Sequence, residues 1–150
     1  MNIELRPLDE PNKEECLRLT VSKTQADYIA PNESSLAAAE EHADVARPFV
    51  ICADGEAVGF VMFAVEPEYE DPNDRYWLWR FMIDERYQGR GYGKAALMKI
   101  IEYFKSIGAP NIRLSTKESN SGAIRLYKSA GFKPTGEIID GETVFELDFE

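Results

Sequence analysis

Hydrophobic and polar residues alternate along this chain in short blocks, and the period of each block predicts a strand or a helix. The alternating segment 3–8 predicts a first strand. "NKEECLRLTVS" then predicts a helix, with Asn12 and Glu15 spaced as a capping box. A second helix is predicted over 34–43, where serines precede good helix formers. The chain is therefore expected to open with one strand and two short helices.

The middle of the chain predicts three strands. "RPFVICADGEAVGFVMFAVE" contains two of them, joined by the tight-hairpin pair Asp54-Gly55. The segment 66–75 follows as a loop that carries five acids and two prolines. "YWLWRFMI", residues 76–83, is apolar on both alternating faces apart from Arg80, as expected of a central strand that is covered on both sides.

The remaining part of the chain returns to helices and strands. Apolar residues recur at helical spacing from about Tyr92 to Ser106. Three further segments follow, namely a strand over 111–116, a helix over 120–132 and a hairpin over 133–149 that turns at Asp140-Gly141. The whole order is β-α-α-β-β-β-α-β-α-β-β, which predicts a single domain over residues 1–150 with mixed α/β architecture.

Composition narrows the class of protein. The 150 residues are 44% hydrophobic and 29% charged, with a formal net charge of −10. Such an acidic chain does not suit nucleic acid, whose phosphates need a basic face. No apolar run approaches the ~20 residues that span a bilayer, and the N-terminus lacks a signal pattern, so a cytoplasmic protein without membrane contact is expected. Cys16 and Cys52 are expected to be reduced and non-catalytic, and His42 has no neighbours at ligand spacing for a metal site.

A basic, glycine-rich turn, "ERYQGRGYGKAAL" over residues 85–97, stands out in this acidic chain. It lies between a predicted strand and the start of a predicted helix, where unpaired N–H groups and the helix dipole favour an anion. Its glycines would let a phosphate approach the backbone, and Arg86, Arg90 and Lys94 add mobile positive charge. The turn matches neither a P-loop nor a dinucleotide fingerprint. Taken alone, it is equally compatible with a plain strand-to-helix connection.

A resemblance adds to this evidence. The run from Gln88 to Gly93 fits the Q/R-x-x-G-x-G/A signature of the GNAT superfamily of N-acetyltransferases. A second block resembles that superfamily's N-x-x-A-x-x-L-Y-x-x-x-G-F segment through Asn120, Ala123, Leu126, Tyr127, Gly131 and Phe132. More narrowly, "WRFMIDERYQGRGYGKAAL" and "YIAPNESSLAAA" are similar to small bacterial spermidine/spermine (diamine) acetyltransferases. The resemblance implies a central mixed, mostly antiparallel sheet with splayed central strands and helices on both faces. It also implies transfer of an acetyl group from the co-substrate acetyl-CoA to a primary amine, a polyamine in the narrower match, without a metal.

The resemblance also implies where acetyl-CoA binds. The pyrophosphate is expected on the backbone amides of Gln88, Gly89, Arg90, Gly91, Tyr92, Gly93 and Lys94. The pantetheine arm is expected to pair with the strand before the turn, at Phe81, Met82 and Ile83, like an added strand. A backbone N–H of Met82 or Phe81 would then polarise the thioester carbonyl near a bulge in that strand. Asn120 either caps its helix or contacts the pantetheine arm, and both roles are compatible.

Tyr127 is the expected catalytic residue. A tyrosine on a helix is commonly a core residue, but at this motif position its phenol is implied to protonate the departing CoA thiolate. For the acceptor amine, the expected contacts are Tyr28, Asn32, Glu66 and Glu68. The general base stays open between Glu66, Glu68, Glu70, Glu118 and a water chain. Arg80 does not fit this picture, because a cation beside a cationic substrate needs an acid to pair with.

Two other functions remain open from the sequence. One is a non-catalytic acyl-CoA-binding or regulatory module, and the other is an acetyltransferase for protein amines. The expected partner is a small-molecule amine rather than nucleic acid or a membrane. A homodimer formed through an edge strand or the C-terminal hairpin is expected by analogy with the superfamily.

Overall fold

In the computed structural model, which describes residues 2–21 and 31–149, four helices surround one seven-stranded sheet. The elements are β1 Ile3–Pro7, α1 Glu10–Arg18, α2 Asn32–Glu41, β2 Ala46–Ala53, β3 Glu56–Val65, β4 Tyr76–Ile83, α3 Tyr92–Ser106, β5 Asn111–Thr116, α4 Ser121–Ser129, β6 Lys133–Ile139 and β7 Glu142–Asp148. This order confirms the one predicted from the hydrophobic pattern. Within the described residues, no helix has both the length and the apolar character needed to cross a membrane.

The sheet is mixed and mostly antiparallel, as predicted. Its strand order is β1-β2-β3-β4-β5-β7-β6, and every neighbouring pair runs antiparallel except β4 and β5, which run parallel. A parallel pair needs a crossover connection, and here α3 supplies it between β4 and β5. The one parallel junction therefore lies in the middle of the sheet, between two antiparallel halves.

Helices cover both faces of the sheet because side chains alternate across each strand. On β3, Val61 and Phe63 join the core that packs against α3, where Phe104 meets Phe63 with ring centroids 4.6 Å apart. The alternate residues Phe60 and Met62 join a second core that α1 and α2 cover. All four β3 side chains are fully buried, and burying a side chain of this size contributes about 1.5–3 kcal/mol.

The start of α1 differs from the prediction. Asp9 is the N-cap, its Oδ1 accepts from the N–H of Asn12 at 2.8 Å, and the N–H of Asp9 donates to Asn12 Oδ1 at 2.9 Å. The capping box is therefore Asp9–Asn12, and the assignment to Asn12 and Glu15 was wrong by one turn. Pro11 does not prevent this earlier start, because the first turn of a helix does not need its N–H.

The centre of the sheet is open on one side of β4. Toward β3, β4 is paired along its whole length, with a bulge where Trp79 has no partner between the pairs Met62–Arg80 and Phe63–Leu78. Toward β5, the described strands pair at Trp77 and Arg113 alone. Beyond that pair the two strands diverge, which confirms the expected splayed central strands.

Candidate active site

A cavity of about 740 Å³ lies where β4 and β5 diverge. Its lining comes from the bulged part of β4, the end of β5, the inner face of α4 and two surface segments, the loop 66–75 and the β6–β7 hairpin. The lining residues from β4, β5 and α4 with its N-cap are Trp77, Leu78, Trp79, Arg80, Phe81, Leu114, Ser115, Thr116, Asn120, Ala123 and Tyr127. A deep groove at a sheet opening, with a few polar groups, is typical of a small-molecule site.

The glycine turn follows directly from β4 and leads into α3. Gly89 and Gly91 adopt positive φ angles of 75° and 85°, a conformation that other residues rarely take. Gly91 is the N-cap of α3, a helix of 15 residues without an acid in its first turn. The N–H groups of that turn and the positive end of the dipole are thus free of a side-chain anion, as an anion-binding helix start requires.

The turn also contacts the helix that lines the cavity. A Cβ on Gly93 would lie 3.7 Å from Leu126 Cδ2 and 3.9 Å from Ile83 Cγ1. Leu126 precedes Tyr127 on α4, and Ile83 ends β4. The predicted phosphate site and the predicted catalytic residue therefore lie on neighbouring elements that pack against each other.

A buried carboxylate fixes the start of this turn. Asp84, which is 1% exposed, accepts from the backbone N–H of Arg86 at 3.0 Å, from Arg86 Nε at 2.9 Å and from the N–H of Thr20 at 2.9 Å. Burial alone would raise the pKa of Asp84, but the hydrogen bonds from Arg86 and Thr20 outweigh it and hold the pKa below its usual value. Arg86 is consequently bound to Asp84, and the expectation that it is a mobile charge was wrong.

Gln88 closes the other side of the same turn. Its side-chain amide donates to the carbonyl of Ile83 at 2.8 Å, so the chain folds back on the end of β4 before it enters α3. Among the predicted contacts of the pantetheine arm, Phe81 lines the cavity, whereas Met82 is buried in the second core, below α1 and α2. Of the two candidate N–H donors, Phe81 lies nearer to the bulge at Trp79.

Asn120 and Tyr127 both line the cavity from α4, as their spacing of two turns predicts. Asn120 occupies the N-cap position, but its side chain makes no capping bond and its amide donates to Thr116 Oγ1 at 3.3 Å. Tyr127 is 9% exposed and packs edge-on against Phe132, with ring centroids 5.6 Å apart. Burial raises the pKa of its phenol above the ordinary value, so Tyr127 is firmly protonated at neutral pH.

Carboxylates form part of the cavity lining, and we call this set the acidic rim. Its members are Glu66, Asp74, Glu137, Asp140 and Glu142. Two come from the loop after β3 and three from the β6–β7 hairpin, which lies more than sixty positions further along the chain. Sequence reasoning named the loop acids but missed the hairpin, because only the fold brings the two segments together.

The other predicted acceptor contacts lie elsewhere. Glu68 is exposed on the loop and is not among the cavity residues. Asn32 is buried at the start of α2, where its amide donates to the carbonyl of Cys16 at 2.8 Å. Tyr28 lies outside the described residues. Glu66 is thus the predicted acceptor contact that the described structure brings to the cavity.

A polar network fastens the loop to the sheet. Arg113 on β5 forms ion pairs with Asp74 and with Glu146, the latter at 3.3 Å, and reaches Glu137 at 3.8 Å. The amide of Asn111 donates to Glu146 Oε1 at 2.7 Å, and also to a backbone carbonyl of the loop. Since the Arg113 side chain is only 12% exposed, these contacts are shielded from solvent and hold the rim in place.

Arg80 lies on the β4 side of the cavity, as an isolated cation. Its Nε is buried without a hydrogen-bond partner in the described part of the chain, and its guanidinium lies over the Trp79 ring, 5.1 Å from the centroid. The β4 bulge adjoins it. The sequence showed the charge on an apolar strand, but not that the strand opens at this point.

Comparison with known proteins gives the family. Residues 8–132 match the model of the acetyltransferase (GNAT) family. The chain is 38% identical to a spermine/spermidine N(1)-acetyltransferase of Bacillus subtilis (strain 168) over 148 residues, which cover 96% of this chain and 97% of that protein.

Solved structures agree on the fold. An acetyltransferase from Thermus thermophilus superposes with a TM-score of 0.79 at 19% identity, covering 99% of this chain and 98% of that one. A spermidine N-acetyltransferase from Vibrio cholerae, solved with CoA and spermine, gives a TM-score of 0.72 at 19% identity, covering 97% and 95%. The chain therefore belongs to the acetyltransferase (GNAT) family and is an N-acetyltransferase that uses acetyl-CoA as its co-substrate.

Proposed function

We propose that this enzyme acetylates a primary amine of a polyamine such as spermidine or spermine, with Tyr127 as the general acid. The observation that carries the acceptor is the acidic rim, in which Asp74 and Glu137 are paired with Arg113 while Glu66, Asp140 and Glu142 have no ion pair in the described part of the chain. The cation that β4 contributes to the same cavity is Arg80. Converging carboxylates concentrate polycations and bind their ammonium groups. The name of the B. subtilis relative, which covers nearly the whole chain, supports the same class of acceptor.

Acetyl-CoA would occupy the open side of β4. Past Trp77, the edge of β4 that faces β5 has no strand partner among the described residues, so its backbone can pair with the amides of the pantetheine arm. Phe81 and Ile83 would supply that edge, whereas the backbone of Met82 faces β3. Asn120 would face the edge from the start of α4, and the amides from Gln88 to Lys94 would receive the pyrophosphate. The thioester would then lie in the cavity beside Tyr127.

The reaction is a direct displacement. The lone pair of the acceptor nitrogen attacks the thioester carbonyl carbon and forms the C–N bond, and the C–S bond then breaks with its electrons on sulfur. The Tyr127 phenol gives its proton to that sulfur, the nitrogen loses one proton to water, and Tyr127 is reprotonated from solvent. The products are CoA and the N-acetyl amine.

The protein environment suits this proton transfer and disfavours a covalent intermediate. The burial that keeps Tyr127 protonated also destabilises a bare thiolate beside it, so protonation of sulfur as the bond breaks lowers the barrier. Burial raises the pKa of the Cys16 thiol to about 12 and that of Cys52 above its usual value, so neither thiol forms a thiolate nucleophile at neutral pH.

Release of free CoA thiol, measured with a panel of acceptors, tests the acceptor class. We expect spermidine and spermine to be acetylated more efficiently than monoamines or protein lysines, with a KM that rises with salt because exposed charges are screened. Glu66→Gln should raise the KM for spermidine about two- to fivefold, the size of one partly exposed charge pair. Glu102→Gln, an exposed acid on α3, is the matched control and should leave KM unchanged. Equal efficiency with neutral or anionic amines would refute the polyamine acceptor.

A homodimer remains a prediction. β6 is one edge of the sheet and all of its residues are exposed, among them Ile138 at 72%. If copies of this chain associate, this strand is one of the two sheet edges through which they could pair, and β1 is the other.

A further inference from the structure

Arg80 is a cation in a cavity whose proposed substrate is also cationic, and the surrounding structure does not neutralise it. No carboxylate of the described residues lies within ion-pair distance of its guanidinium. Glu142 is the acid whose charge acts on it, at longer range. The contact with the Trp79 ring leaves the positive charge in place. A guanidinium stays protonated even when burial lowers its pKa, as burial does here.

We infer that Arg80 favours the neutral, nucleophilic form of the acceptor amine that lies beside β4, while the acidic rim holds the acceptor's other ammonium groups. This inference rests on the proposed function, because it needs an acceptor with more than one amine. It assigns to Arg80 an electrostatic effect on the amine that attacks, and assigns binding of the rest of the acceptor to the rim.

The chemistry requires such an effect. A primary alkylamine titrates near ~10.4, so at neutral pH almost every molecule carries the proton that blocks attack. A nearby like charge disfavours the protonated form of an amine, whereas a nearby carboxylate favours it. The rim therefore favours binding of the acceptor but keeps its amines protonated, which prevents attack. A cation near the reacting amine has the opposite effect and favours its neutral form.

The placement of the charged groups supports this division. The rim residues come from the loop 66–75 and the β6–β7 hairpin, whereas Arg80 comes from β4, next to the bulge at Trp79. The other titratable groups that line the cavity are His42 at the end of α2, Tyr69 of the loop and Tyr127 of α4. Because the thioester is proposed to lie along β4, the attacking nitrogen must approach the Arg80 side of the cavity. That nitrogen gives one proton to solvent before it attacks, and it gives a second proton to water after the C–N bond has formed.

The pH dependence of kcat with spermidine tests the inference. Arg80→Met removes the charge and keeps much of the side chain's bulk, whereas Arg80→Lys keeps the charge. We expect the acidic limb of the wild-type profile to move up by about one to two pH units in Arg80→Met, a loss of about 10- to 100-fold near neutral pH that recovers in alkali. Arg80→Lys should stay near the wild type. A loss of equal size at every pH, or a change in KM alone, would overturn the inference and leave Arg80 a packing or binding residue.

A binding measurement on the wild type keeps the inference testable if the variants fail to fold. Spermidine is titrated into the enzyme–CoA complex near pH 8, in buffers of different ionisation enthalpy. We expect the release of close to one proton for each spermidine bound, and binding without proton release would contradict the role of Arg80. The two failures are distinguishable. If no polyamine is turned over, the proposed function fails and the inference fails with it, whereas turnover of spermidine with an unshifted pH profile in Arg80→Met overturns the inference alone.

Discussion

The two edges of β4 differ in kind. On one edge β3 pairs with β4 from Gly59–Ile83 to Val65–Tyr76, whereas on the other β5 meets it at Trp77. The first edge closes the sheet and contributes to the stability of the fold. The second leaves backbone and side chains free for a ligand. One strand thus serves both the core and the site, and changes on its two edges should have separable effects.

The closed edge also shapes the open one. Five consecutive residues of β4, from Trp77 to Phe81, line the cavity, because an open strand edge presents backbone as well as side chains. The unpaired Trp79 interrupts the alternation, because a bulge bends the strand and re-aims its side chains. The irregular pairing with β3 therefore determines which groups the open edge presents.

Replacement of Tyr127 should give the largest effect, and on activity alone. Tyr127→Phe keeps the ring that packs on Phe132 and removes the proton donor. A positioned acid contributes about 10²–10⁴-fold in rate, so kcat should fall by this factor, or about 3–5 kcal/mol in barrier height. Affinity for CoA and the free energy of unfolding should change little. Stopped assays of thiol release measure kcat, calorimetry with CoA measures the affinity, and urea unfolding measures the stability.

Tyr103→Phe is the matched control for this variant. Tyr103 stacks on Phe63 in the core under α3, away from the cavity, so its loss of a hydroxyl should leave kcat unchanged. A Tyr127→Phe enzyme with wild-type kcat, in an assay limited by the chemical step, would make Tyr127 a core residue only.

A change on the closed edge should act on stability instead. Gly59 faces β4 so closely that a Cβ there would lie 2.4 Å from the carbonyl oxygen of Met82, a backbone atom that cannot simply rotate away. Gly59→Ala should therefore lower the free energy of unfolding by about 1–3 kcal/mol, the usual cost of forced backbone shifts. Urea unfolding followed by circular dichroism measures this. Gly122→Ala, with open space around the new Cβ, should not be destabilised, and equal stability of the two variants would show that the closed edge tolerates displacement.

Much of this comparison is readable from sequence, for local reasons. The limits of β4 and α3 follow from residues 76–106 alone, through apolar strand residues, a glycine turn and helical spacing. The start of α1 was misplaced because Asn12 suits two positions in a capping box. It could be the N-cap for Glu15 or the third residue after Asp9, and Pro11 is compatible with the second.

The parts that sequence reasoning missed depend on contacts between distant segments. The extent of pairing between β4 and β5 depends on how α3 and β7 pack, and a local sequence pattern does not predict it. The acidic rim combines Glu66 and Asp74 with the hairpin acids, and Arg113 links the two segments through ion pairs. The sequence predicted that Arg86 is a mobile charge beside the glycines, but its side chain forms an ion pair with the buried carboxylate of Asp84.

Among the variants of the two β4 edges, the smallest expected effect is on CoA affinity, and it concerns the glycine turn that leads from the open edge into α3. Gly93 is the second residue of α3, and a Cβ atom there would meet Leu126 and Ile83 at ordinary van der Waals distances. Gly93→Val should thus fold, since valine in a helix is no worse than glycine. If the pyrophosphate rests on these amides, the added methyl groups meet the ligand, and Kd for CoA should rise about tenfold, or roughly 1.4 kcal/mol.

Gly122→Val is the matched control, because Gly122 is also the second residue of its helix and has open space around it. Calorimetry should find CoA binding weakened in the first variant and unchanged in the second. Equal affinities in two folded proteins would place the phosphates elsewhere, and the turn would then be a connection that only joins the open strand to its helix.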